Sequence, residues 1–217
     1  MKLVVNLKNV PKELHPGLYE ISNNIPLKFK EKNETVIFRK IDKGLEISVE
    51  DNKVVIGFET VNDAFRAIGL LQSRTFSELR TKKICEFRRI KKCYVMLDVS
   101  RNGVLNTDSV REWLHFFALA GINGFMVYTE DTYEVEGEPL FGYMRGKYSK
   151  EELRFFDKIA ASLGIEMIPC IQTLAHLQRI LQYPAYHKIK DTESVLLCEE
   201  KATLDFVEKM IMEASSP

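Results

Sequence analysis

Apolar and polar positions follow a regular order through the second half of the chain. The run from Tyr94 to Val99 is short and mostly apolar, and it ends in the charged and small residues that begin with Ser100. Such a run is typical of a strand buried on both faces of a sheet. Apolar residues then recur at helical spacing at Leu105, Val110, Trp113, Leu114 and Phe117. Together they predict the opening of a βα unit.

The same order recurs twice. Phe125 to Tyr128 and Ile165 to Ile171 are further apolar runs, and the loop from Glu134 to Tyr148 follows the first of them. Ser149 and Glu152 have the spacing of a capping box and predict the start of a helix. The last helix is expected from Glu199 to Met212, with one apolar face formed by Leu204, Val207 and Ile211. This alternation predicts a parallel sheet with right-handed crossovers.

Residues 1–88 have a different pattern and are expected to form a small α+β domain. Their β-rich runs lie at Thr35 to Phe38, Leu45 to Val49 and Val54 to Phe58. The second of these runs alternates apolar with polar residues, as in an antiparallel strand with one wet face. Asn62 is predicted to cap a helix whose apolar face continues through Leu79.

The segment from Arg80 to Lys92 carries seven basic residues and is interpreted as a solvated joint before a second domain, residues 89–217. No aromatic ladder accompanies these charges, which argues against nucleic acid as a partner. Lys plus Arg and Asp plus Glu each number 31, so the balanced charge gives no reason to expect nucleic acid or an anionic membrane.

The composition is that of an ordinary globular chain, because 45% of the residues are hydrophobic and 29% are charged. No apolar segment is long enough to cross a membrane, and polar residues interrupt the N-terminus too early for a signal peptide. A cytoplasmic location is therefore expected. The four cysteines, Cys85, Cys93, Cys170 and Cys198, form no C-x-x-C pair, and buried free thiols are expected rather than disulfides or zinc ligands.

Polar side chains follow all three predicted strands of the second half. Arg101 follows the first, Glu130 and Asp131 follow the second, and His176 follows the third. In parallel α/β folds the functional groups lie where strands end and loops begin. These four residues therefore predict a site. Taken alone, Arg101 could equally be a solvated charge, and for His176 an ordinary loop residue would be favoured.

These segments, taken in order, resemble glycoside hydrolase family 20, the β-N-acetylhexosaminidases. The resemblance is carried by Leu97-Asp98-Val99-Ser100-Arg101, by Tyr128-Thr129-Glu130-Asp131, and by Ile168-Pro169 with His176 after it. The segments Thr129 to Pro139 and Phe141 to Gly146 resemble a bacterial branch of that family. The resemblance covers nearly the whole chain. It implies that the second domain is the start of a (β/α)8 TIM barrel.

The resemblance also implies an activity, the removal of terminal N-acetylhexosamine from glycans. Family 20 is an exception to the usual scheme of two carboxylates, because the substrate assists its own hydrolysis. The acetamido oxygen of the sugar attacks the anomeric carbon, an Asp orients it, and an adjacent Glu is the general acid and base. No metal or organic cofactor is implied.

Residue by residue, the resemblance assigns Arg101 to the arginine that holds sugar hydroxyls, since its planar fork can bond two of them. Glu130 and Asp131 match an acidic pair that in the family is usually two Asp, so Glu130 is a departure. His176 matches a histidine that forms a hydrogen bond to an acidic neighbour and so tunes the catalytic acid without contacting the sugar. Tyr143 and Arg145 lie in a loop that shapes the pocket, and a structural role is favoured for both.

The family's catalytic Asp-Glu pair has no match, because the 217 residues contain no Asp-Glu dipeptide. No residue of this chain is therefore assigned as catalytic. The three βα units predicted here supply three strands, whereas a barrel needs about eight strands to close. We expect the chain to be the N-terminal part of an enzyme, inactive alone, with an open strand edge through which it could self-associate.

Other functions remain open from the sequence. The chain could be a binding module that recognises N-acetylhexosamine through Arg101 without chemistry, or a partner that completes the barrel of another chain. An unrelated barrel enzyme such as a sugar isomerase is a more distant alternative, because its metal-binding carboxylates and histidines have no match here.

Overall fold

A computed structural model describes residues 2–101 and 103–215. Asn102, which belongs to the charged and small residues predicted to follow the first strand, lies outside the described residues. The chain forms two compact units, each built from separate parts of the sequence. The first consists of residues up to Val95, Arg111–Phe125 and Lys158–Glu166; the second consists of Met96–Val110, Met126–Asp157 and residues from Met167 onward. The domain boundary at residue 88 stays a prediction.

The N-terminal part contains short strands with helices between them. In chain order its elements are β1 (Leu3–Val5), α1 (His15–Ile21), β2 (Leu27–Phe29), β3 (Val36–Lys40), β4 (Leu45–Glu50), β5 (Lys53–Phe58), α2 (Val61–Gln72), α3 (Phe76–Thr81) and β6 (Ile84–Glu86). β1 and β2 pair in parallel. The other strands form a sheet in the order β3-β5-β4-β6, in which β4 is antiparallel to both neighbours and β3 is parallel to β5.

Strand β4 confirms the alternation seen in its sequence, because Leu45 and Ile47 are buried and Glu46 is partly exposed. The prediction that Asn62 caps the next helix is wrong. Thr60 is the cap and forms a capping box with Asp63, whereas the Asn62 side chain donates a hydrogen bond of 2.9 Å to the Ile122 carbonyl oxygen. The predicted helical face also does not continue to Leu79.

The break between α2 and α3 falls at Ser73 and Arg74, and Thr75 caps α3 through a second capping box, with Glu78. The basic segment is also more ordered than expected. Part of it is β6, and Arg88 donates a 3.0 Å hydrogen bond to the nearly buried Asp63 carboxylate. It is therefore not simply a solvated joint.

The second half contains three consecutive βα units, as the pattern predicted. Its elements are β7 (Tyr94–Asp98), α4 (Thr107–Ala120), β8 (Gly124–Thr129), α5 (Lys150–Ser162), β9 (Glu166–Ile171), α6 (Gln178–Leu181), a 3-10 helix (Pro184–Ile189) and α7 (Lys201–Ser215). The strands form one sheet in the order β7-β8-β9. The fold class is α/β, a small α+β part followed by βα units consistent with the start of a (β/α)8 barrel.

Hydrogen bonds at both ends of β7 and β8 show that the two strands run in the same direction. The Asn123 amide donates to the Cys93 carbonyl oxygen (3.1 Å) at their starts, and the Val99 amide donates to the Tyr128 carbonyl oxygen (3.0 Å) at their ends. The predicted helix signals are confirmed as well. Gly121, with a positive φ of 82°, ends α4, and Ser149 forms its capping box with Glu152.

The expectation that the first strand is buried on both faces is wrong. Met96 is 58% exposed and Asp98 is also exposed, whereas most of the central strand β8 is buried. β7 is an edge strand, so it has one neighbouring strand instead of two. The expectation of buried thiols is also wrong: the four cysteines are free, but Cys85, Cys93 and Cys198 are exposed and Cys170 is partly buried.

The predicted apolar face of the last helix is only partly right: Val207 is partly buried against the core, but the other two residues are not. Leu204 and Ile211 are exposed, while Phe206 and Met210 of α7 are buried. Apolar residues lie on both sides of this helix, so helical spacing alone could not select the inner face.

The hydrophobic core of the second unit comes largely from the segments that follow β8 and β9. Leu177 and Tyr186, which follow β9, pack in this core with residues that follow β8 and with α7. The buried members of this core are Tyr133, Val135, Phe141, Leu177, Ile180, Leu181, Tyr186, Ile189, Leu196, Phe206 and Met210. The segments after β8 and β9 are therefore packed rather than loose. None of the helices in the described part of the chain has the length and apolar character that a membrane span requires.

Candidate functional site

The turn after β7 is held together by one carboxylate. Asp98 Oδ1 accepts hydrogen bonds from the Ser100 amide (2.8 Å) and from the Ser100 hydroxyl (2.6 Å). An Asp that bonds its own backbone two residues further along forms an Asx turn, which sets the direction of the chain locally. Ser100 is buried, and this turn presents Arg101 at the end of the strand.

The Arg101 guanidinium lies between two carboxylates. Its Nη2 is 3.2 Å from Glu130 Oε1, and its Nε is 3.3 Å from Asp98 Oδ2. Glu130, with Tyr128 and Asp98, raises the pKa of Arg101 above its usual value. Since 53% of the Arg101 side chain is exposed, it can still donate hydrogen bonds to oxygen atoms of a ligand. The site therefore offers an oriented cation.

The two carboxylates beside Arg101 differ in environment. Glu130 is buried and is paired with the guanidinium, and a buried carboxylate is costly without such a partner. Asp98 is more exposed. Burial acts to raise the pKa of Asp98, but hydrogen bonds from Ser100 and the charge of Arg101 outweigh this effect, and the pKa is lowered.

Asp131 lies next to Glu130 in the sequence but has a different partner. It is only 3% exposed, and its Oδ1 accepts a hydrogen bond from Arg145 Nη1. Arg145 Nη2 donates to the Ser100 carbonyl oxygen. Gly142, with a positive φ of 64°, lets this loop approach, because a Cβ there would collide with the Asp131 carbonyl oxygen.

His176 is in a different situation. Its side chain is exposed, and it makes no hydrogen bond or ion pair within residues 2–101 and 103–215. Its backbone has a positive φ of 59°, a left-handed conformation that is uncommon for residues other than glycine. The next residue, Leu177, is buried and donates its amide to the Ser194 carbonyl oxygen (3.1 Å). The structure thus joins Arg101 to Glu130 and does not join His176 to either acidic residue.

Tyr143 and Arg145 belong to the same loop after β8 but differ in surroundings. The Tyr143 ring is about half exposed and meets the Tyr183 ring edge-on, with centroids 6.1 Å apart. Arg145 points at Asp131 and Ser100, as described above. A structural role was expected for both residues. The Tyr143 side chain contacts the Tyr183 ring, whereas Arg145 contacts the polar site.

Each of the three carboxylates at the ends of β7 and β8, those of Asp98, Glu130 and Asp131, has a basic partner. Glu138, which like Glu130 could serve as a general acid, accepts a 2.8 Å hydrogen bond from Lys209 Nζ. Glu130 is paired with Arg101. In the described part of the chain, no group of three or more His, Cys, Asp or Glu side chains could hold a metal ion.

From the sequence, Asp98 and Ser100 were named only in the segment that carries the resemblance and were given no role, and Arg145 was undervalued. The Asp-x-Ser spacing at Asp98 is a signal for an Asx turn and could have been recognised. Arg145 had a weaker signal. Two adjacent acidic residues that become buried need two basic partners, and Arg101 supplies only one of them.

Comparison with known proteins gives a structural likeness without a sequence match. No protein-family model matches the chain, and no curated protein matches its sequence. The fold is similar to a Streptomyces plicatus β-hexosaminidase, solved in complex with GlcNAc as product, with a TM-score of 0.80 and 18% identity. That match covers 97% of this chain and 52% of the other.

Two further solved structures have similar folds. A Vibrio harveyi GH20 exo-β-N-acetylglucosaminidase, in complex with N-acetylglucosamine, has a TM-score of 0.76 at 16% identity, covering 98% of this chain and 41% of that one. A β-N-acetylhexosaminidase from Bacteroides fragilis has a TM-score of 0.73 at 19% identity, covering 99% and 50%.

The chain therefore spans about half the length of these enzymes, or less. At these identities the likeness shows the fold alone. By its fold, this chain is similar over nearly its whole length to about half of a family 20 β-hexosaminidase.

Proposed function

We propose that this chain is the N-terminal part of a glycoside hydrolase that removes terminal N-acetylhexosamine residues from glycans by substrate-assisted, retaining catalysis. In this proposal residues 1–88 form the small α+β domain and residues 89–217 begin the catalytic barrel. No cofactor takes part. The observation that carries the proposal is the half-exposed Arg101 guanidinium, oriented by Glu130 and Asp98 at the end of β7 in a hexosaminidase-like fold.

Each group of the site has a part in this proposal. Arg101 donates hydrogen bonds to neighbouring hydroxyls of the sugar, and Glu130 and Asp98 hold the guanidinium in the plane that this requires. His176 forms a hydrogen bond to an acidic neighbour once substrate is bound. The general acid is a Glu of the family's Asp-Glu pair, which these 217 residues do not contain.

Binding of N-acetylglucosamine tests the role of Arg101. Hydrogen bonds to a charged group contribute about 1.5–3 kcal/mol, so Arg101→Ala is expected to weaken binding by about tenfold to a hundredfold. Arg179→Ala is the matched control, because Arg179 is also exposed and follows β9 on α6. Isothermal titration calorimetry on both variants and the parent chain would check this, and equal affinities for the parent and Arg101→Ala would refute the role.

Hydrolysis of an aryl N-acetylglucosaminide tests the assignment of the general acid. The purified chain is expected to show no turnover. Turnover that disappears in Glu130→Gln or Glu138→Gln would show instead that one of these residues is the acid. The same assay on the chain extended to a full barrel distinguishes an incomplete enzyme from a binding module.

A second candidate function is that of a non-catalytic partner, which binds N-acetylhexosamine or completes the barrel of another chain. The exposed apolar residues Leu204, Ile211 and Met212 of α7 favour it. The chain could also associate with itself through its open sheet edge. Analytical ultracentrifugation would test self-association. Association that Ile211→Glu abolishes would support it, and a monomer at all concentrations would contradict it.

A further inference from the structure

Arg145 uses one side chain to satisfy two buried acceptors. Nη1 donates to the Asp131 carboxylate, and Nη2 donates to the Ser100 carbonyl oxygen. Asp131 and Ser100 are both almost fully buried, so neither acceptor can turn to water instead. Arg145 therefore connects the end of β7 to the end of β8.

The Ser100 carbonyl is the acceptor that matters for the site. It belongs to the peptide group whose nitrogen is that of Arg101, so fixing this oxygen fixes the plane from which Arg101 leaves the strand. The amide and hydroxyl of Ser100 are already bound to Asp98. With Arg145 in place, every polar group of Ser100 has a partner.

The Asp131 carboxylate provides the other anchor. A buried carboxylate requires a positive partner, and Arg145 is the partner it has, with 21% of its side chain exposed. The close approach at Gly142 keeps the loop that carries Arg145 against Asp131. This anchoring sets where the guanidinium lies relative to Ser100.

The guanidinium geometry explains why an arginine stands here. Its planar fork holds two acceptors in a fixed relation, whereas a lysine ammonium is a point charge on a flexible stem. Lysine would neutralise Asp131 but would not hold the Ser100 carbonyl in the same plane. The two functions of Arg145 can therefore be separated by substitution.

We propose that Arg145 is a positioning residue of the sugar pocket, which sets the direction of Arg101 through the Ser100 carbonyl while it neutralises Asp131. The proposal deepens the function proposed above and rests on the role of Arg101 in sugar binding. In this role Arg145 acts through Ser100 and not by direct contact with the sugar.

Arg145→Lys tests this directly. The charge is kept but the Ser100 carbonyl oxygen loses its donor, so the urea midpoint is expected to fall by less than it does when the charge is removed as well. The affinity for N-acetylglucosamine is expected to fall by about tenfold because the fork is lost. Arg154→Lys on α5 is the matched control, since that arginine is exposed and its ion pair is loose (3.8 Å). Equal affinity of Arg145→Lys and the parent would overturn the proposal.

A double variant separates charge from geometry. Arg145→Met is expected to lower the urea midpoint, because the Asp131 carboxylate loses its partner. Adding Asp131→Asn removes that charge, so the midpoint is expected to recover in part, because the Ser100 carbonyl oxygen still lacks its donor, while sugar affinity stays low. Recovery of affinity together with the midpoint would show that Arg145 only supports the fold.

A measurement without sugar keeps this proposal distinct from the proposed function. The ¹⁵Nε resonance of Arg101 is expected to shift in Arg145→Lys and to stay unchanged in Arg154→Lys. If the parent chain binds no N-acetylglucosamine, the proposed function fails. The Arg101 resonance would still show whether Arg145 positions Arg101. An unchanged Arg101 resonance would overturn the positioning role.

Discussion

The end of β8 and the end of β9 carry polar residues for which the same argument predicted a site, yet the structure treats them differently. Glu130 and Asp131 are buried, and each is paired with an arginine. His176 is exposed and has no hydrogen bond or ion pair in the part of the chain that the structure describes. A buried carboxylate must be matched by a cation, whereas an imidazole that can be neutral carries no such requirement.

The two strand ends therefore differ in how far the structure determines the surroundings of their side chains. A buried acidic residue needs a basic partner, so its surroundings are fixed before any ligand binds. For an exposed histidine, the structure fixes only the backbone. The role of His176 as a support for the acidic groups therefore stays a prediction, and the comparison can be tested by substitution at both strand ends.

The largest effect is expected from Asp131→Ala. This change leaves Arg145 without its carboxylate in a mostly buried place, and breaking such a pair costs about 3–5 kcal/mol of unfolding free energy. Glu151→Ala is the control. Glu151 is 79% exposed at its side chain, and its arginine is 3.8 Å away, so a loss of at most about 1 kcal/mol is expected. Urea denaturation measures both, and similar losses would mean that burial of Asp131 has no energetic consequence.

An intermediate, pH-dependent effect is expected from Asp98→Asn. The pKa of Asp98 is lower in the folded chain than in the unfolded one, so the folded chain binds fewer protons there. The stabilising contribution is present above the unfolded pKa, about 3.9, and is lost as the pH falls through the folded value. The difference in urea midpoint between the parent and Asp98→Asn should therefore be larger at about pH 6 than at about pH 3.

The control for this pH dependence is Asp42→Asn, which removes an exposed carboxylate between β3 and β4. Its midpoint difference from the parent should be smaller at about pH 6 than that of Asp98→Asn. A difference for Asp98→Asn that grows as the pH falls would contradict the lowered pKa.

The smallest effect is expected from His176→Gly. Glycine adopts a positive φ without strain, and this gain is offset by its greater freedom in the unfolded chain, so the free energy of unfolding should change by less than about 1 kcal/mol. The neighbouring Ala175→Gly gains nothing from positive φ and should destabilise by about 0.5–1 kcal/mol. If His176→Gly destabilises more than Ala175→Gly, the side chain of His176 makes contacts that its exposure does not reveal.

Much of the second half could be predicted because its signals are local. Gly121 and the pair Ser149 and Glu152 marked helix ends through the chemistry of a few neighbouring residues. The βα alternation followed from apolar periodicity in the same way. The error at Asn62 has the opposite cause. Two polar residues near one helix start could both have been the cap, and Asn62 instead bonds Ile122, far along the chain.

The candidate site was predicted in part. Arg101, Glu130 and Asp131 were found because residues at strand ends in a parallel sheet share one edge. That Arg145 pairs with Asp131 could not be predicted, because a loop of Gly, aromatic and charged residues has no periodicity that places its side chains. The inner face of α7 was missed for a related reason, since Phe206 and Leu204 are equally apolar and only packing distinguishes them.

The sequence by itself determined the order of the βα units, the main helix ends and the strand ends that carry the polar residues. These depend on the spacing of neighbouring residues, which the chain contains directly. The tertiary structure alone decided which arginine meets which carboxylate, which face of α7 is buried and that His176 lies exposed. Those outcomes depend on residues far apart in the chain. These residues come together only in the folded chain, where apolar surface is buried and each buried charge must also have a partner.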